Sequence, residues 1–93
     1  MTTFNSVWDA IEDTPEQAEN MKIRSSLMRS IEAKIEAAGW SQQQAAERFH
    51  VTQPRISDLV RGKIEKFTID TLVNMVVAAG LHVQVDVAEM EAA

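Results

Sequence analysis

The chain has 93 residues, 14 Asp and Glu against 9 Lys and Arg for a net charge of −5, and no cysteine; it makes one domain that buries about 60–65% of its unfolded surface, too little for a large active-site cleft. Without cysteine there is neither a disulfide framework nor a thiolate metal site, and His50 and His82 stand far apart without ligand partners at metal-binding spacing, so no metal and no other cofactor is expected. No apolar run approaches the roughly 18 residues of a membrane span, and the amino terminus lacks the basic and apolar regions of a signal peptide, which argues against a membrane partner and points to the cytoplasm.

Ser6 with Asp9 resembles a capping box, and Val7, Trp8 and Ile11 give the short apolar face of a helix of about two turns. Asp13 breaks that pattern, so residues 1–13 form an acidic helical segment. Thr14-Pro15-Glu16-Gln17 then combines a cap, a proline at the first helical position, an acid in the first turn and Gln at the third. From there Ala18, Met21, Leu27, Met28, Ile31, Ile35 and Ala38 follow the helical period as far as Gly39, which predicts one helix of about 22 to 25 residues. That exceeds what a compact domain needs, and its first two turns are expected to project or to pack on something else.

Ser41 and Gln44 form an S-x-x-Q capping box, and Ala45, Ala46 and Phe49 supply the inward stripe of a second helix of about two turns. His50 and Val51 interrupt it. Thr52 is the next cap, with Gln53 and Pro54 in a first turn whose N–H groups have no intrahelical partner. Ile56, Leu59 and Val60 recur at i, i+3 and i+4 and are expected to face inward with Ala45 and Phe49, while Gly62 suits the left-handed position after the last turn. Gln53, Arg55, Ser57, Asp58 and Arg61 are left outward.

This segment resembles the Cro/CI-type helix-turn-helix of phage repressors and the wider Xre family. Over nearly the whole chain the sequence is similar to the small Xre-type antitoxins of HigA type. By position, the resemblance implies base-reading roles for Gln53, Pro54, Arg55 and Asp58 and phosphate contacts for Ser41, Gln42, Arg61 and Lys63. It also implies a small basic ribonuclease toxin as a protein partner. Two residues depart from the family pattern. His50 stands where relatives usually have Gly, in a turn with φ above zero that His tolerates better than branched residues do. Pro54 stands where many relatives place Gln; with no base-edge hydrogen bond to offer, it fixes the helix start or touches a thymine methyl.

Lys63-Ile64-Glu65-Lys66-Phe67 reads as a surface loop whose lysines flank the DNA backbone, with Phe67 or Ile64 as a core anchor. Thr68 opens a last helix with Ile69, Leu72, Val73, Val76 and Ala79 on one face, stopped by Gly80. Residues 14–80 thus form the helix-turn-helix domain. Leu81-His82-Val83-Gln84-Val85-Asp86-Val87 alternates strictly and reads as a strand, the only one in the chain. A lone strand leaves its N–H and C=O groups unpaired, so antiparallel pairing with a second copy through Leu81, Val83, Val85 and Val87 is expected, giving a homodimer. Residues 88–93 carry no signal and read as a mobile tail. The expected fold is therefore mainly α, a five-helix Cro/CI-like domain with an extra N-terminal helix and a carboxyl-terminal β-strand paired across a dimer.

The acidic balance argues against DNA binding, but the distribution reverses the argument. Residues 1–20 hold five acids and no base, and residues 68–93 hold four acids and no base. Residues 21–67 hold all nine bases against five acids, a local charge of +4 where the helix-turn-helix lies. Double-stranded DNA with an inverted-repeat operator is the expected partner, since a twofold dimer sets two recognition helices roughly 34 Å apart. Gln53 can pair with adenine and Arg55 with guanine; Ser57 is an ambiguous donor or acceptor; Asp58 would accept from cytosine N4 or hold Arg55 or Arg61 in place, the holding role being preferred. Thr52 and Lys66 join Ser41, Gln42, Arg61 and Lys63 as backbone contacts. No enzyme is expected, because neither a Ser/His/Asp set, a carboxylate pair with a cleft, nor a Gly-rich phosphate loop occurs. Repression by a toxin–antitoxin autoregulator is the expected function. The alternatives are a toxin-neutralising interaction module without specific DNA binding, whose contact is the acidic amino-terminal helix, and a phage-type repressor with no toxin.

Overall fold

The computed structural model describes residues 7–89, and among them it contains five α-helices and one 3₁₀ turn: α1 (Val7–Ile11), α2 (Pro15–Ala38), α3 (Gln42–Phe49), α4 (Gln53–Val60), the turn Ile64–Lys66 and α5 (Ile69–Ala78). Ser6, the expected cap of α1, lies outside the described residues. So does the end of the tail beyond residue 89.

α2 starts and stops where its caps dictate. The Thr14 hydroxyl accepts the Gln17 N–H at 3.1 Å, and Gly39 takes the left-handed conformation (φ 68°) while its N–H donates to Glu36 O at 3.1 Å. A Cβ is disfavoured in that conformation, which is why the helix ends on glycine. Ala18, Met28 and Ile31 are buried, with Leu27 and Ile35 packed beside them, whereas Ala38 lies exposed beyond the stripe. The first turns of α2 do not project. They carry α1, which lies against them with Trp8 half-buried and Asp9 paired to Lys22 at 3.0 Å, leaving Val7 and Ile11 exposed.

The core is assembled from α2, α3, α4, α5 and one loop residue. Its largest members, Ile31, Phe49, Ile56, Leu59, Phe67, Leu72 and Met75, are fully buried. Phe67 is the loop's anchor, with Ile64 only partly buried beside the core. α5 begins on the Thr68 hydroxyl, which accepts the Thr71 N–H at 3.1 Å, and the Leu81 N–H closes its far end on Val76 O at 3.0 Å, after Gly80 at φ 79°.

Beyond that bond the expected strand is not found: residues 81–89 form neither helix nor strand among the described residues. Leu81 and Val83 pack against the core, with His82 exposed between them and Gln84 exposed after them, so the two-residue alternation holds for its first half. Val85 and Val87 then stand 82% and 89% exposed. The reason is physical. A strand exists only as part of a ladder, and one copy of this chain has no second segment to provide it. No helix among the described residues is long and apolar enough to cross a membrane.

Candidate nucleic-acid interface

The helix-turn-helix is built by capping and by five buried side chains. Both halves of the capping box form at the start of α3, Gln44 N–H to Ser41 Oγ at 3.1 Å and Ser41 N–H to Gln44 Oε1 at 2.9 Å. Ala45, Ala46 and Phe49 bury the inner face of α3, and Ile56 and Leu59 bury that of α4. Between the helices His50 adopts φ 57° and ψ 45°, the one positive φ outside glycine among the described residues. Its N–H donates to Ala46 O, and the Val51 N–H does so at 3.0 Å, so this one terminal carbonyl of α3 accepts twice while the chain reverses.

α4 starts at Thr52, whose carbonyl accepts the Arg55 N–H at 3.1 Å and the Ile56 N–H at 3.2 Å. The Thr52 side chain makes no cap hydrogen bond, contrary to its expected capping role; Pro54 in the first turn removes one of the donors such a cap would serve. A second expectation also fails. Val60 is 43% exposed, not inward: α4 rests on Ile56 and Leu59, and Val60 lies about 40° past Ile56 on the side away from Leu59.

The outward residues of α4 divide into two groups. Gln53, Pro54 and Arg61 are exposed, with Ser57 half-buried among them. Arg55 and Asp58, one helical turn apart, reach instead to the 3₁₀ turn. Arg55 Nη1 donates to the Lys66 carbonyl at 2.9 Å, and its guanidinium lies 5.3 Å from the Phe67 ring centre. Asp58 sits between two cations, Oδ1 at 3.6 Å from Lys63 Nζ and Oδ2 at 3.7 Å from Lys66 Nζ. It therefore holds the lysines, not Arg55 or Arg61. Ser41 and Gln42 are exposed at the start of α3, but the Ser41 hydroxyl is engaged in its cap.

One contributor has no role in the sequence reading. Trp40 lies between Lys34 and Arg48, 5.6 and 5.5 Å from its ring centre, and meets Phe49 edge-on at 5.8 Å. It ties the end of α2 to the last turn of α3, fixing the angle between the two. The signal was present, since an apolar residue directly before a helix cap occupies the staple position.

Residues 10–88 match the family model described as a helix-turn-helix domain. The chain belongs to the helix-turn-helix domain family. It is similar to a solved structure whose name assigns it to the XRE family of transcriptional regulators, with a TM-score of 0.73 and 29% identity over 82% of this chain and 89% of that one. No curated protein sequence matches. For this member of the helix-turn-helix family, the match spans α2 to α5 and runs on through the irregular segment after Gly80, so the segment carrying Val83 and Val85 belongs to the family's unit and is not an appendage.

Proposed function

We propose that this protein is a sequence-specific DNA-binding transcriptional repressor, working in the cytoplasm as a homodimer on an inverted-repeat operator. The observation that carries the reading is the exposed start of α4: Gln53 and Pro54 stand clear of the core on a helix pinned from behind by Ile56 and Leu59. The chain's positive charge, confined to residues 21–67, supports it. Gln53 pairs with adenine through N6 and N7, Pro54 presents an apolar edge to a thymine methyl, and Ser57 adds one donor or acceptor. Arg61, Lys63, Lys66, Gln42, Ser41 and the uncapped Thr52 hydroxyl contact phosphates. Arg55 serves the site by holding the turn that carries the lysines, and Asp58 pairs with the lysine side chains themselves.

The dimer rests on the segment from Leu81 to Val87. Val85 and Val87, with Val77 of α5 at 61% exposure, leave an apolar surface that pairing with a second copy through residues 81–87 would cover. The finer antitoxin reading rests on the HigA resemblance and on α1, whose exposed Val7 and Ile11 stand among acids suited to a small basic toxin.

The test is selection of bound duplexes from a randomised pool, followed by titration of the enriched duplex and a scrambled one. An inverted repeat with half-sites about one turn apart is expected. Gln53→Ala loses about 1–3 kcal/mol at one base pair per half-site, while Lys63→Ala weakens both duplexes alike and flattens the salt dependence. Equal losses on both duplexes for Gln53→Ala would sink the base-reading assignment, and absence of any enriched sequence would sink the repressor.

A further inference from the structure

We infer that Asp58 governs how strongly the protein grips the DNA backbone, by holding Lys63 and Lys66 back from the phosphates. The inference rests on the repressor reading and goes beyond it, since it makes an acid on the recognition helix a positioning residue that weakens binding to every duplex. The geometry behind it is specific. One carboxylate spans both ends of the 3₁₀ turn, with its two oxygens on different ammonium groups at 3.6 and 3.7 Å. The Asp58 side chain is 22% exposed, against 38% for Lys63 and 48% for Lys66, so the acid is the sheltered partner and the lysines are the ones facing solvent. Arg55, on the same side of α4, bonds the Lys66 carbonyl at 2.9 Å and fixes the backbone of the turn independently of the carboxylate.

Three consequences follow from charge and distance. The two separations are longer than the usual 2.7–2.9 Å of a close charge-assisted hydrogen bond, and pairs this exposed are weak, so an arriving phosphate can draw the lysines away. Once they leave, the carboxylate is stranded beside a polyanion and must take up a cation, which opposes the counterion release that drives backbone binding. The loss applies to operator and non-operator DNA alike, because it involves phosphates and not bases. Asp58 therefore lowers backbone affinity without reading sequence.

The experiment uses the full chain, the selected duplex and its scrambled counterpart, across a salt series. Asp58→Asn is expected to bind both duplexes about 3- to 10-fold more tightly at low salt, with the slope of log K against log salt steeper by about 1. In a Lys63→Gln/Lys66→Gln background the same change is expected to give less than about a twofold gain, because the cations it acts through are gone. A gain undiminished in that background would mean direct repulsion of phosphate and would overturn the inference. So would a change confined to the selected duplex, which marks a base reader, or unchanged or weakened binding to both, which marks a structural pair only. Failure of the unmodified protein to bind either duplex removes the repressor reading and this inference together, whereas binding without a gain in Asp58→Asn removes only the inference.

Discussion

The helix-turn-helix and the carboxyl-terminal segment answer the same requirement in opposite ways. Residues 41–62 close their helix ends within one copy: the capping box closes one end of α3, the His50 turn closes the other, and Gly62 at φ 73° follows the end of α4. Residues 82–89 take part in no backbone–backbone hydrogen bond among those described, although their side chains alternate just as regularly. The difference is one of hydrogen-bond bookkeeping, because a helix pairs its own N–H and C=O groups and a strand borrows another's. What holds the first region is therefore internal, while the second region has no backbone partner of this kind in one copy among the described residues.

Breaking the internally completed region should have the largest effect. Phe49 is 1% exposed and touches Trp40 edge-on, so Phe49→Ala is expected to lower unfolding stability by about 3–5 kcal/mol in denaturant titration. A loss under about 1 kcal/mol would mean that α3 is not held as described. The carboxyl-terminal segment is expected to give a smaller and different signature, through its proposed pairing with a second copy. Val85→Glu leaves the helical circular dichroism unchanged, because Val85 is 82% exposed in one copy, but withdraws about 1.5–3 kcal/mol of apolar burial per copy from a dimer. Sedimentation equilibrium is expected to show the unmodified protein at twice the chain mass and the variant shifted toward one. An unmodified protein that stays monomeric at high concentration ends the pairing proposal.

How legible the chain was follows the same division. Thr14, Gly39, Ser41, Gln44, Gly62 and Thr68 mark helix ends by local chemistry, and each acts where its pattern predicts because capping needs only residues within one turn. Phe67 was readable as an anchor because a lone aromatic in a polar loop has few other uses. Apart from the Thr52 cap, which Pro54 undercuts locally, the misses involve geometry between elements. Val60 follows the helical period, but whether it is buried depends on how α4 is tilted on α2, which no local rule contains. Arg55 reads as a guanine contact by position, and only the placement of the 3₁₀ turn reveals that its guanidinium is bound to the Lys66 carbonyl. Trp40 and the pairing of Asp58 with two lysines belong to the same class. The segment after Gly80 differs again, because its alternation predicts a ladder and Val85 and Val87 stay exposed in one copy.

The smallest effect concerns the turn that separates the two helices. His50 holds φ 57° with its N–H bonded to Ala46 O, so a residue with a Cβ occupies a backbone conformation that costs an ordinary L-residue about 1–2 kcal/mol. Glycine removes that cost but adds freedom to the unfolded chain, a penalty of about 0.5–1 kcal/mol. His50→Gly is therefore expected to gain about 0.5 kcal/mol of stability by the difference of these two terms, read as a small rise in the denaturant midpoint with an unchanged slope. Because His50 is exposed and is assigned no base or phosphate contact, affinity for the selected duplex should stay within about twofold. A clear loss of stability would show that the imidazole itself holds the turn, and a loss of affinity without one would place His50 at the DNA backbone, adding a contact on the turn to those proposed for α3 and α4.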